Sequence, residues 1–414
     1  SLNESLAAGT YTMRFYTRYM ENQGADYFFR KTVYIGGPFS SRYRITPKFT
    51  LKDHKVEVEL SYSDIKTHAA ISPTNIKYKN ETDELKNLSV NLQGISRFDY
   101  DLSKSNTGSV YLEFEIDNKK HSQYFSLPTR EADFDVDFFP EGGNLLMNTD
   151  NKLSFKSINS DGLGEDVSIT IYNNEGVEVI KTHSIHKGMG VFLFHPESGQ
   201  SYIAQCTNSR GVTKKYPLPD AQTGGYGLSL ESTTGSYLLS LKRANNAAVS
   251  DNLSLLIHVR GMVLYADHWD NSVETLTIDK DELPSGILQF LLVDNAMQLP
   301  VSERLAFNRN DRQIPRMTSK SNKPNYKSRD KVELQLEIID SDGRAVNGNL
   351  SVSVTDDKDL KPDSTQNIVS YLLLSSDLRG YIEDPAYYMQ QTRQSDYALD
   401  LLMQTQGWTR YDLK

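Results

Sequence analysis

Apolar and polar residues alternate with a period of two over short runs along most of this chain, the spacing of strands that bury one face. The clearest runs are Tyr11–Tyr19, Val56–Tyr62, Val110–Ile116, Val167–Tyr172, Tyr237–Leu241, Leu253–Val259, Ile287–Val293, Val332–Ile338 and Leu350–Val354. Asn, Asp and Gly cluster between them, as in Asn174-Glu175-Gly176, Asp161-Gly162 and Asp342-Gly343. These residues tolerate the positive φ that hairpin turns demand. So many strands, with almost no helical periodicity before residue 365, imply an all-β chain of tandem immunoglobulin-like sandwiches.

Punctuation sets the expected units. Gly36-Gly37-Pro38, Leu127-Pro128-Thr129, Tyr216-Pro217-Leu218-Pro219 and Asn310–Pro315 interrupt the strand pattern. They predict the closing strands of a truncated sandwich over 1–37, then β-sandwiches over 38–130, 131–219, 220–314 and 315–414. Residues 9–19 already alternate like the last strands of a domain, so the chain is expected to be a segment of a longer protein. Leu153–Ile171 and Leu334–Val354 form a weak internal repeat, each a strand, a Ser-Asp-Gly turn, a polar excursion and a second strand.

The pattern changes near the end, where a helical insertion or extension is expected over 365–410. Ile368, Tyr371 and Leu372 follow i, i+3, i+4 spacing, and Ala398, Leu401, Leu402 and Thr405 continue to i+7. Ser395 is the expected N-cap and Gly407 the stop, while Pro385 divides the stretch into two helices. The prediction is that both apolar faces dock on the last sandwich and that Trp408 folds back to anchor them.

Composition narrows the functions. A net charge of −9 over 414 residues, with no basic stripe, argues against a nucleic-acid surface. No run reaches the roughly 18 apolar residues of a membrane-spanning helix. Cys206 is the single cysteine, so no internal disulfide framework or multi-cysteine zinc site is expected. Twenty-four Tyr against two Trp suits β-rich surfaces.

Several segments resemble motifs of large Bacteroidetes envelope proteins: Asp137–Leu146 (DFFPEGGNLL), Leu283–Leu305 (LPSGILQFLLVDNAMQLPVSERL), Leu373–Tyr388 (LLSSDLRGYIEDPAYY) and Leu401–Tyr411 (LLMQTQGWTRY). In those proteins macroglobulin-type sandwiches precede a carboxypeptidase-regulatory-like domain and a TonB-receptor-type plug. Tyr326–Asp357 also resembles a macroglobulin-type domain of the α2-macroglobulin group, and Gly9–Ile35 the end of another. The resemblance implies export to the periplasm or the outer membrane and cell surface, and a plug-like part beyond Lys414. It supplies no activity. Protease-trapping macroglobulins carry a Cys-Gly-Glu-Gln thioester, whereas Cys206 sits in Gln-Cys-Thr-Asn.

Candidate sites are few. His183, His186 and His195 with Glu197 are the nearest approach to a metal cluster, but the first two, three apart on an extended segment, project to opposite faces. Asp340, Asp342 and Gly343 open like a calcium loop without the Glu at the twelfth position, and so read as a hairpin turn; Asp356-Asp357 reads as a strand-end turn. Gly224-Gly225-Tyr226-Gly227 lacks the helix and Lys-Ser/Thr of a phosphate loop. Neither G-x-S-x-G nor H-E-x-x-H occurs. Asp267, His268 and Asp270 flank Trp269: a polar site with an aromatic platform for sugar or peptide, or an ordinary exposed hairpin loop after the buried strand Gly261–Tyr265. The expectation is a non-catalytic scaffold or interaction segment without metal or cofactor, engaging a protein partner in the envelope. The alternatives are a macroglobulin-like protease inhibitor without a thioester and a carbohydrate- or peptide-binding surface protein.

Overall fold

The computed structural model describes residues 7–18, 29–36, 42–52, 55–79, 84–101, 109–127, 133–160, 162–246, 252–310, 314–352, 354 and 365–406. Asp161, Asp356-Asp357, Gly407 and Trp408 lie outside these described residues. The chain divides into two compact units, Ser1–Asp133 and Phe134–Lys414.

In the first unit, β1 (Gly9–Phe15) and β2 (Phe29–Ile35) form an antiparallel pair. The first sandwich follows as β3 (Tyr43–Lys52), β4 (Lys55–Asp64), β5 (Thr74–Lys79), β6 (Lys86–Asn87), β7 (Ile95–Asp101), β8 (Ser109–Ile116) and β9 (Lys119–Ser126). Its sheets run β3-β4-β7 and β6-β5-β8-β9. The period-two pattern explains it: Val56, Val58, Leu60 and Tyr62 of β4 point inward against Val110, Leu112 and Phe114 of β8, while Glu57 and Glu59 point out. An isolated hairpin is marginal in water, and β1–β2 is tied to β9 through Ala8, whose N–H and C=O pair with Ser122 O and Tyr124 N at 3.0 and 2.8 Å.

The second unit repeats this topology twice. The second sandwich comprises β10 (Phe134–Pro140), β11 (Asn151–Asn159), β12 (Val167–Asn173), β13 (Glu178–His183), β14 (Met189–Phe194), β15 (Tyr202–Asn208) and β16 (Thr213–Pro217). The third comprises β17 (Tyr226–Ser232), β18 (Ser236–Arg243), β19 (Leu253–Val259), β20 (Met262–His268), β21 (Leu276–Asp279), β22 (Gly286–Asp294) and β23 (Leu299–Asn308). In each, strands one, two and five make one sheet and strands four, three, six and seven the other. The chain is thus all-β, built from tandem immunoglobulin-like sandwiches with short helices near the C-terminus.

β22 is the exception to alternation, buried on both faces. Leu288, Phe290 and Leu292 fill the third sandwich, and Ile287 on the other face joins a separate apolar cluster with the C-terminal helices. A continuous apolar strand signals a covered second face.

The cover is the helical stretch, and here three expectations are corrected. It docks on the second and third sandwiches, not on the last one: Leu374, Leu378, Ile382, Tyr388 and α2 (Arg393–Thr405) pack with Met189, Ile287 and Leu305. Ile368 and Leu372 are 72% and 51% exposed. α1 (Ile368–Ser370) runs on into π-type turns over Tyr371–Ser375, and the face it turns inward carries Ser370 and Leu374, four residues apart, while Ile368 and Leu372, also four apart, face out. Ala398, Leu401 and Leu402 are buried on α2 as their spacing implies. Its N-cap is Thr392 rather than Ser395, which is the third helical residue and completes a capping box.

Over 315–354 the described residues form a single strand pair, β24 (Arg316–Ser321) with β25 (Leu334–Ile339), and residues 350–352 and 354 make no strand. The Asp340–Gly343 turn is a hairpin: Asp340 Oδ1 accepts from Asp342 N at 3.0 Å and Arg344 N at 2.8 Å.

Candidate functional site

The four residues singled out at the end of β20 and just beyond it do not converge. Trp269 is 7% exposed and lies in the third sandwich's core with Leu253 and Leu283, its backbone N–H donating to Leu253 O at 2.9 Å. Its indole is a plug, not an exposed platform. The preceding strand, expected to be buried, is an edge with Met262 and Val263 exposed. Asp270 is turned on its own loop, accepting from Ser272 N and Oγ at 2.8 and 2.6 Å, bonds that hold its carboxyl below the usual range. Asp267 accepts from His268 N, and His268 Nδ1 lies 3.4 Å from Ser254 Oγ.

The histidines also stay apart. His195 Nδ1 pairs with Asp150 at 2.8 Å, while the His186 ring stacks on Tyr387. Among the described residues no group of three or more His, Cys, Asp or Glu side chains gathers as a metal site. Cys206 is buried in the second sandwich, and burial pushes its thiol up to about 12.

The polar centre of the second unit lies elsewhere, where β10, β23 and α2 meet. After β10 the chain turns through Glu141-Gly142-Gly143-Asn144 and wedges against β17 and β23. Gly142 O accepts from Ser302 Oγ at 2.6 Å and from Glu303 N at 3.3 Å, and Ser302 Oγ accepts from Leu228 N at 2.8 Å. Gly142 has φ +79°, and a Cβ there would lie 2.6 Å from Ser302 Oγ and 2.8 Å from Leu228 N, so only glycine fits. Asn144 Nδ2 donates to Tyr226 O and Val301 O at 3.1 and 2.9 Å.

Behind this wedge lies Arg304, 2% exposed. Its guanidinium reaches Glu141 Oε1 at 3.1 Å and Asp400 Oδ1 at 2.6 Å. Burial disfavours its charge, and the carboxylates of Asp400 and Glu141 outweigh that penalty. Glu141 also accepts from Ser229 Oγ at 2.7 Å, and Lys152 Nζ lies 3.6 Å away. Gln404 Nε2 donates to Asp400 Oδ2 and its Oε1 accepts from Ser154 Oγ, each at 2.8 Å. Two sandwiches and a helix therefore share one satisfied polar node.

A cleft of about 560 Å³ opens beside the node. Phe139, Gly143, Pro300, Arg304, Arg379 and Met403 are among the residues that line it, and of its charged groups Glu141 and Arg304 are committed to each other. Composition left Glu141, Arg304 and Asp400 unmarked. The available signal was parity: Arg304 falls on the inward register of β23 with Ser302, Ala306 and Asn308, where a charge requires a buried partner.

No protein-family model and no curated protein matches the chain. The similarities to solved structures are low. The chain is similar to trypsin-activated alpha-2-macroglobulin from Escherichia coli at 13% identity, over 74% of this chain and 27% of that one, with a TM-score of 0.21. It is similar to domains 4–9 of the surface layer protein SbsC at 9% identity, over 74% and 54% of the two chains, TM-score 0.26. It is similar to the BSP domain of a biofilm associated protein at 6% identity, over 62% and 65%, TM-score 0.25. The chain spans about a quarter of that macroglobulin's length. The fold assignment rests on strand order and burial, not on these likenesses.

Proposed function

We propose that this chain is a non-catalytic scaffold segment of an extracytoplasmic protein. In it the second sandwich, the third sandwich and the C-terminal helices act as one block that presents surfaces to a protein partner. The observation that carries this reading is the Arg304 node. Isolated sandwiches on a string need no such junction, whereas a buried cation held by carboxylates from the preceding sandwich and the following helix fixes their relation. Rigid β-arrays offer end loops and edge strands to partners. The resemblance of the four motifs to Bacteroidetes envelope proteins extends the reading to the periplasm or outer membrane and to a link with TonB-dependent transport. All four of those motifs supply the node and its cleft, through Glu141, Arg304, Arg379 and Gln404.

Calorimetry tests the block. The region from Phe134 onward is expected to melt in one transition, and Arg304→Ala to split or broaden it. Independent melting of the two sandwiches in the unaltered chain would end the scaffold reading. A trapping assay separates the inhibitor alternative: a trapped protease would keep activity on small substrates and lose it on large ones.

A further inference from the structure

The turn between β13 and β14, strands of different sheets, meets the helical stretch through the His186 ring, the Lys187 ammonium and the Met189 side chain. His186-Lys187-Gly188-Met189 is a tight turn with positive φ at Lys187 (48°) and Gly188 (74°), closed by Met189 N to His186 O at 2.8 Å. The turn is held at its base, where Ser157 N donates to Gly188 O at 2.8 Å and the backbones lie so close that a Cβ on Gly188 would be 2.1 Å from Ser157 O. The His186 ring lies face to face on Tyr387 at 4.4 Å and 14°, and edge-on to Tyr388 at 5.5 Å and 84°. Its Nε2 is buried with no hydrogen-bond partner. Tyr388 is itself buried in the cluster that docks the helices.

We propose that His186 is an acid-sensitive latch: neutral, it seats the Tyr387–Tyr388 segment on the second sandwich, and protonated, it releases that segment and loosens the helices behind it. The inference stands apart from the scaffold reading. A neutral imidazole stacks on a phenol ring at little cost, whereas a second N–H at a buried, partnerless nitrogen is a charge without an acceptor.

The groups facing the ring set the direction. Lys187 on the turn and Lys156 on β11 oppose protonation, and Asp384 and Glu383 on the helical stretch favour it. Those carboxylates are partly committed: Glu383 pairs with Lys187 Nζ at 3.0 Å and accepts from Gly164 N at 2.7 Å. Tyr387 and Tyr388 complete the surroundings, and Lys156 Nζ donates to Lys187 O at 2.6 Å. Burial is the largest influence and, with the lysines, depresses the His186 pKa below its ordinary 6.5. Because the docked form binds the proton less well, docking is at full strength above that value and weakens as pH falls below it.

The test is hydrogen exchange of the Ala398–Thr405 amides in the full chain, corrected for intrinsic rates, at pH 7.5 and 5.0. His186→Phe keeps the stack but cannot ionise. The unaltered chain is expected to lose at least about threefold more protection on acidification than His186→Phe, up to the roughly thirtyfold that one proton allows over 1.5 pH units. Titration of His258, buried in the third sandwich, is common to both chains and cancels in the comparison. Equal losses overturn the latch. If His186→Phe misfolds, the imidazole titration of His186 by NMR in the unaltered chain decides: a midpoint below 6.5 supports the latch and one at or above it overturns it.

Discussion

Arg304 on β23 and Asp400 on α2 meet at 2.6 Å although 96 residues separate them, and the arginine also holds Glu141 from the preceding sandwich. A cation this deeply buried is stable only while its partners stay. Arg304→Ala or Glu141→Ala is therefore expected to cost about 3–5 kcal/mol, because each strips a buried charge of a close partner, and Asp400→Ala less, because Arg304 keeps Glu141. Asp400 is also the more exposed of the two carboxylates. Replacing all three with apolar residues of similar volume should recover most of that loss, as urea midpoints would show.

Gly142 and Gly143 offer a cleaner comparison. Both have positive φ, at 79° and 89°, yet a Cβ on Gly143 meets nothing within 4 Å while one on Gly142 strikes Ser302 and Leu228. Gly143→Ala should cost only the roughly 1–2 kcal/mol of left-handed backbone. Gly142→Ala should cost clearly more, and its extra loss should shrink when Ser302→Ala is added. Equal losses in chemical denaturation would show that the wedge tolerates a side chain.

The strands of the three sandwiches were legible because each buries one parity, as in Val56–Tyr62, and the turns carry residues suited to positive φ. What the sequence concealed was which surface each exposed-looking element would meet. Ile368 and Leu372 do share one helical face, but the face that packs carries Ser370 and Leu374, and spacing alone does not say which side of a helix meets a partner. Trp269 looked exposed among acidic neighbours because local polarity says nothing about one large side chain folding beneath its loop. Arg304 carried a readable clue in its inward parity, but its two carboxylates came from elements remote in sequence, and no local pattern names those.

Trp269→Ala should lower stability by about 3–5 kcal/mol, the cost of a large core truncation, while Asp267→Asn and His268→Gln should stay within about 0.5 kcal/mol. On a glycan array, any loss of signal with Trp269→Ala should follow the lost folded fraction. Selective loss of binding by a fully folded Trp269→Ala chain would restore the aromatic-platform reading.

Cys206 is enclosed among Ile169, Ile171 and Ala204, and burial raises its thiol to about 12. The thiolate is the reactive form, so the native chain should resist alkylation at pH 8 and react fully in denaturant. Rapid labelling of the folded chain would mean that the second sandwich opens readily.

Removing residues 365–414 tests the docking of the helices. The truncation uncovers Met189, Ile287 and Leu305 and takes Asp400 from Arg304, leaving that cation with Glu141 alone. Each apolar side chain returned to water costs about 1.5–3 kcal/mol before chain entropy is regained. A net loss of several kcal/mol should lower the melting temperature of the Phe134 unit by roughly 10 °C, at about 2–4 °C per kcal/mol for a body of this size. The Ser1–Asp133 unit, compact by itself, serves as an internal reference and should melt unchanged. Differential scanning calorimetry would resolve the two transitions. An equal fall in both would point to general destabilisation, and no fall in either would mean that the helices contribute nothing to the sandwiches they cover.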